Sequence, residues 1–108
     1  MNDCIDNCTS CHAVCLETLS YCITKGGMHA DPAHIVLLSA CADVCATSAD
    51  NMLLGASVSP SVCASCAEVC KACAESCERV GDDAQMQLCA AACRRCEKSC
   101  SMMATMGK

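Results

Sequence analysis

Phenylalanine and tryptophan are absent from this chain, and Tyr21 is the one residue of the Phe, Trp and Tyr class. A single such ring provides no platform on which nucleic-acid bases stack. Basic side chains are also scarce: 7 Lys and Arg are scattered among 12 Asp and Glu, giving a net charge of −5. No phosphate-binding stripe results, so a nucleic acid is not an expected partner. No apolar run approaches the roughly 18–20 residues that a membrane span needs, and no membrane partner is expected. The opening residues Met1-Asn2-Asp3-Cys4 carry neither a basic nor an apolar leader region, which gives a cytoplasmic location as the expectation. Large aliphatic residues are few, with Leu, Ile and Val together supplying 17 of 108 positions. A composition so poor in them ordinarily signals disorder.

Cysteine fills that gap. There are 16 Cys residues, and with Ala they lift the hydrophobic share to 54%. A core is therefore available only if sulfur builds much of it.

Punctuation divides the chain into four similar segments, with helices expected over roughly 3–25, 32–54, 60–80 and 83–105. Gly26-Gly27 closes the first. Asp31-Pro32 and Ser59-Pro60 each read as an N-cap followed by Pro at the first helical position. Gly55, Gly81 and Gly107 mark later ends, and Asp82-Asp83 places negative charge at the start of the fourth helix. Short turns favour antiparallel neighbours. The chain is expected to form one domain over residues 1–108, an all-α, up-down-up-down antiparallel four-helix bundle.

Cysteine carries the periodicity. Cys4, Cys8, Cys11, Cys15 and Cys22 mark the first segment, with Thr18 filling the vacant slot. The second holds His34, Leu38, Cys41, Cys45, Ser48 and Met52 in one phase. Cys63, Cys66, Cys70, Cys73 and Cys77 follow in the third, and Cys89, Cys93, Cys96 and Cys100 in the fourth, where Met86 and Met103 extend the stripe. Alternating steps of three and four form the seam of packed helices. Charged residues such as Asp43, Glu68, Lys71, Glu75, Arg94 and Glu97 avoid that phase. The bundle interior is therefore expected to be lined by sulfur.

Free Cys packs as a small hydrophobe. Packing alone does not account for so many on one seam, because Leu, Ile and Val are the ordinary core residues and several stand off it. Disulfide scaffolds are loop-rich and lack such regularity. Every Cys except Cys22 has a neighbour three or four residues away, where a bridge closes a tiny loop. Metal binding fits the pattern better. Cys-x-x-Cys pairs at 8/11, 63/66, 70/73 and 93/96 interleave with Cys-x-x-x-Cys pairs at 4/8, 11/15, 41/45, 66/70, 73/77, 89/93 and 96/100. Side chains four apart on a helix lie about 5–6 Å apart, so two thiolates lean onto one ion between them. A nearly linear two-sulfur site suits a soft monovalent ion, and soft ligands select Cu(I). Charge agrees. A tetrahedral zinc site leaves a surplus of about −2, whereas Cu(I) near one per thiolate neutralises the interior.

All 16 Cys residues named above are thus candidate metal ligands, for multiple Cu(I) ions. His29, His34 and Met86 gather near one end of the bundle with Met28, and Met52 and Met103 gather near the other with Met102 and Met106. His34, Met86, His29, Met52 and Met103 are candidate entry ligands, with the His34 end favoured as the mouth. His12 lies off the seam and reads as a surface residue. No nucleophile–base pair or paired carboxylates are evident, so catalysis is not expected.

Repeated Cys-x-x-x-Cys and Cys-x-x-Cys on the inner faces of four helices resemble the bacterial copper storage proteins, over the span from Cys4 to Cys100. That resemblance implies storage of many Cu(I) ions within the bundle, His and Met at an open end, and assembly into a homotetramer. Leu38 and Ser48 depart from the pattern by occupying seam positions that Cys would fit. The function expected is a Cu(I) store for copper homeostasis and detoxification, with a copper chaperone as the delivering partner. Zinc or mixed-metal thiolate buffering, redox cycling of Cys pairs, an iron–sulfur carrier and a plain helical interaction module remain the alternatives.

Overall fold

Helix ends in this chain are set by glycine and proline. In the structure, a computed structural model that describes residues 2–106, α1 spans Asn2–Lys25, α2 Pro32–Leu54, α3 Ser59–Val80 and α4 Ala84–Met106. Gly26 leaves α1 at φ +73°, a conformation that favours glycine, and its N–H still reaches the Cys22 carbonyl at 3.1 Å. Gly55 closes α2 in the left-handed region, with its N–H on Met52 O and the Ala56 N–H on Asn51 O. Those two bonds form a Schellman cap that satisfies the last carbonyls.

Contact pairs fix the topology. Cys4 meets Cys100 and Cys8 meets Cys96, so α1 and α4 run in opposite directions. Cys41 meets Cys70 while Cys45 meets Cys66, which makes α2 and α3 antiparallel. Cys11 touches Cys41 and Cys22 touches His34, and the same holds for α1 and α2. The four helices close into an antiparallel bundle 43 Å long and about 20 Å across. That length matches helices of 22–24 residues at about 1.5 Å per residue, with their turns.

Sulfur forms the axis of this bundle. Every one of the 16 Cys side chains is buried, together with Leu38, Met52, Met86, Met103 and several Ala residues at helix interfaces.

Five expectations need correction or qualification. Asp31 stands at the N-cap of α2, but its carbonyl, and not its side chain, accepts the Ile35 N–H. Ser59 is the first residue of α3 and not its cap, and its buried hydroxyl has no hydrogen-bond partner. A short 3-10 turn, Gly27–Ala30, links α1 to α2 where a simple turn was expected. His12 is half-buried, and its Nδ1–H donates to the Ala42 carbonyl at 2.7 Å, tying α1 to α2. Finally, α2 is long and apolar enough to cross a membrane by length and composition, contrary to the expectation of no such run. Its inner face lies in the core, but Val36, Leu53 and Leu54 extend the apolar character outward. Gly107 lies outside the described residues.

Candidate metal centre

Seam positions on four antiparallel helices bring the thiols into a continuous ladder. Cys4 Sγ lies 3.5 Å from Cys100, which lies 3.5 Å from Cys8, which lies 3.5 Å from Cys96. Cys96 then meets Cys45 at 3.7 Å, and Cys45 meets Cys70 at 3.6 Å. Cys70 is followed by Cys41 at 3.6 Å, Cys11 at 3.8 Å and Cys93 at 3.7 Å. Several sets of four sulfurs lie within 4.8 Å of one another, including Cys8, Cys66, Cys96 and Cys100, and Cys15, Cys73, Cys89 and Cys93. The sets overlap: Cys66 and Cys96 recur with Cys45 and Cys70, and Cys11 and Cys41 occur in two sets. Shared corners turn separate sites into one extended array.

Such crowding governs ionisation. Thiols this close cannot all be anionic, since each added charge raises the next. The thiol–thiol contact with Cys100 pushes the Cys4 thiol up to about 11. Burial does the same for Cys22, also to about 11. Within the ladder neighbours divide the role: Cys15 is pushed up by its contact with Cys11, while Cys11 is held down by Cys15 and Cys41. Without metal the interior is therefore chiefly neutral thiol, and binding a soft cation displaces protons from it.

The ends differ. At one, Cys22 Sγ meets His34 Nε2 at 3.5 Å, and His34 Nδ1 pairs with Ser76 Oγ at 2.8 Å. Burial holds the His34 imidazole below its ordinary pKa, so it is neutral and presents a lone pair. Met86 is buried nearby on α4. His29 is turned to another task. Its Nε2–H donates to Asp83 at 3.1 Å, and the Tyr21 hydroxyl donates to the same carboxylate. Both bonds stabilise the anion and pull the Asp83 carboxyl down to about 2, the Tyr21 bond more strongly. This clasp ties α1 and the 3-10 turn to the start of α4. At the opposite end Met52 and Met103 are buried, while Met102 and Met106 are largely exposed.

Two features escaped the sequence pattern. Ser76 lies one residue from the Cys seam, and nothing in its spacing pairs it with His34. The Thr18 and Leu38 layer was visible as two non-Cys seam positions, but only the fold sets them at one level. Thr18 donates to Val14 O and accepts from Gln85, so its hydroxyl is satisfied within the layer.

The comparisons point one way. The profile of the copper storage protein family matches residues 1–105. A Nitrosospira multiformis protein of solved structure is 40% identical with a TM-score of 0.91, over 97% of this chain and 94% of that one. A Cu(I)-bound copper storage protein, BsCsp3, is 33% identical with a TM-score of 0.87 over 94% of each chain. The apo form of copper storage protein 3 from Bacillus subtilis is 31% identical with a TM-score of 0.86, over 95% of this chain and 97% of that one. Among curated proteins, none matches. With its sulfur-lined four-helix interior and a match over nearly its whole length, this chain belongs to the copper storage protein family.

Proposed function

We propose that this chain stores Cu(I), holding many ions per bundle through the thiolates of its seam. The observation that carries the reading is the overlap of the four-sulfur sets. Overlapping sets require the thiolates they share, such as Cys11, Cys41, Cys66 and Cys96, to bridge neighbouring ions, and bridging lets about one Cu(I) per thiolate neutralise the interior. The Cu(I)-bound relative supports the same assignment. All 16 Cys residues, from Cys4 to Cys100, are the proposed ligands. His34 and Met86 at one end and Met52 and Met103 at the other are the proposed outer donors, while His29, expected among them, is held by Asp83.

Around that core reading stand three further proposals. The protein acts in the cytoplasm, receives copper from a copper chaperone, and assembles as a homotetramer. Its role is sequestration and not catalysis: free Cu(I) is lowered, and thiol and iron–sulfur proteins are spared displacement.

Zinc is the second reading, and one observation favours it. Sulfurs around a tetrahedral zinc at about 2.3 Å lie about 3.8 Å apart. The nearest Sγ pairs here, 3.5 to 3.9 Å apart, bracket that value, although other pairs within the four-sulfur sets are as far as 4.8 Å apart. Anaerobic titration of the reduced protein against a strong chromogenic Cu(I) chelator separates the two. Ten or more Cu(I) ions per chain, held ahead of the chelator and displacing any zinc, support the store. Saturation at one to four ions refutes it.

A further inference from the structure

We infer that, in the copper-free protein, Cys45, Cys66, Cys70 and Cys96 form a closed tetrahedral site for one Zn(II). The inference uses thiols of the storage reading and gives them a second state, occupied before copper arrives. Cys66 and Cys70 stand four apart on one face of α3, and Cys45 on α2 and Cys96 on α4 complete the set. Cys45 Sγ lies 3.7 Å from Cys66, 3.6 Å from Cys70 and 3.7 Å from Cys96. Cys66 Sγ lies 3.8 Å from Cys70 and 3.9 Å from Cys96. The remaining pair, Cys70 and Cys96, lies within 4.8 Å. All edges but that one therefore fit the roughly 3.8 Å between sulfurs around a tetrahedral zinc at about 2.3 Å.

That shape selects the metal. A square-planar ion such as Cu(II) or Ni(II) needs two long diagonals, and this set has at most one long pair. Magnesium, calcium and manganese prefer oxygen donors. Zn(II) has no geometric preference of its own and takes four thiolates in a closed site. All four cysteines are fully buried, so no water competes for a corner of the tetrahedron. A zinc ion here ties α2, α3 and α4 together through one layer of the core.

Charge decides how many ions are held. A second set, Cys11, Cys15, Cys41 and Cys93, is as regular, with all edges but one between 3.7 and 3.9 Å. Binding converts four thiols to four thiolates as their protons pass to solvent, and the zinc–thiolate unit carries about −2. In a dry interior that surplus requires hydrogen-bond donors. Thiols outside the Cys45 set supply them: Cys41 donates to Cys70 at 3.6 Å, and Cys8 and Cys100 stand 3.5 and 3.9 Å from Cys96. Filling the second set removes the Cys41 proton from that arrangement and places two like-charged centres side by side, where they repel. One set therefore holds zinc and the other remains thiol. Copper reverses the state without electron transfer. Four Cu(I) ions on the same four thiolates form a neutral unit, and Zn(II) leaves.

Anaerobic titration of the reduced, copper-free chain with Zn(II) against a chromogenic zinc chelator tests the assignment, with Co(II) as the spectroscopic probe of coordination. One Zn(II) per chain is expected to be held ahead of the chelator, and Co(II) to show the intense visible bands of a tetrahedral thiolate site. Cys66→Ser is expected to weaken Zn(II) at least tenfold, whereas Cys15→Ser, which breaks the second set, changes the affinity less than threefold. Circular dichroism confirms that each variant is folded. X-ray absorption of the wild-type zinc form needs no variant and is expected to read four sulfurs at about 2.3 Å. Oxygen or nitrogen ligands in that spectrum, or no zinc held ahead of the chelator, overturns the site. A larger loss in Cys15→Ser than in Cys66→Ser overturns the choice of set, and two equally tight ions overturn the charge argument. A wild-type chain that saturates at one to four Cu(I) ions fails the storage reading instead.

Discussion

Leu38 is the largest of the fully buried side chains, followed by Met86 and His34, in a core built mostly of cysteine. Replacing it by alanine removes three carbons from the level it shares with Thr18. Leu→Ala changes in packed cores cost about 2–5 kcal/mol, the larger values where the site does not collapse. Collapse is restricted here, because the neighbours Thr18 and His34 are held by hydrogen bonds to Val14, Gln85 and Ser76. A loss near 3 kcal/mol is a large part of the about 5–15 kcal/mol that stabilises a domain. At about 4 °C per kcal/mol for a chain of this size, the reduced apoprotein should melt about 12 °C lower. Copper should hide the defect. Each ion bound to the folded state alone adds RT ln(1 + [L]/Kd), and summed over many sites this exceeds the cavity term. Thermal melts of apo and Cu(I)-loaded protein, wild type and Leu38→Ala, measure both quantities. A fall of less than about 3 °C in the apoprotein would refute the argument that this layer is rigidly packed.

Loading should acidify the medium, since thiols such as Cys4 and Cys22, raised to about 11, are protonated at neutral pH. A pH-stat should record about one proton per thiolate engaged, and apparent affinity should rise about tenfold per pH unit for each proton released per ion, up to the raised pKa. Cys45→Ser, in the middle of the ladder, should lower Cu(I) capacity by more than Cys22→Ser, because Cys45 touches Cys66, Cys70 and Cys96; chelator competition counts the ions. Asp83 is held down to about 2, so its contribution is present above the ordinary carboxylate pKa and fades as pH falls toward 2. Asp83→Asn should remove that part of the slope in a plot of melting temperature between pH 5 and 2. Gly81→Ala should disturb the same clasp, because a Cβ at that position would lie 2.6 Å from Asp83 Oδ1. A drop of several degrees in the apo melt, with His29 and Tyr21 NMR shifts moved, is the expected result.

The architecture was legible because one residue type carried it. Cysteine steps of three and four marked the inward face of each helix, and the absence of charges from that phase removed the ambiguity. Pro32, Gly55 and Gly81 marked boundaries by backbone chemistry that acts locally. What escaped depends on distance in space. His12 reads as a surface residue from its helical phase, yet the Ala42 carbonyl draws its ring inward. The Tyr21, His29 and Asp83 clasp joins positions more than 50 residues apart. Ser59 shows the limit of local rules. The Ser-Pro signature is present, but α3 begins one residue earlier than that signature indicates, and the hydroxyl is enclosed without a partner. Helix α2 is the other case: periodicity shows its Cys face, while its apolar outer positions raise the hydropathy of the whole segment.

Small thiols in place of large hydrocarbons set two demands against each other. Each Leu replaced by Cys on the seam removes buried apolar area, at about 25 cal/mol per Å², and weakens the metal-free fold. Each one also adds a ligand, and with it the capacity for more neutralised charge along the axis. Leu38 and Thr18 lie at one level of that axis, on the side of the ladder away from Cys4. They retain packing on the α1–α2 side of the His34 end, while the sulfurs continue on α3 and α4 as Cys73, Cys89 and Cys77. The opposite end keeps Cys4 against an open cavity and accepts looser packing, with Met102 and Met106 largely exposed. Exposed thioethers stand at both ends, Met28 at one and Met102 and Met106 at the other, so the large buried side chains Leu38 and His34, and not the outer donors, set the difference in packing between them.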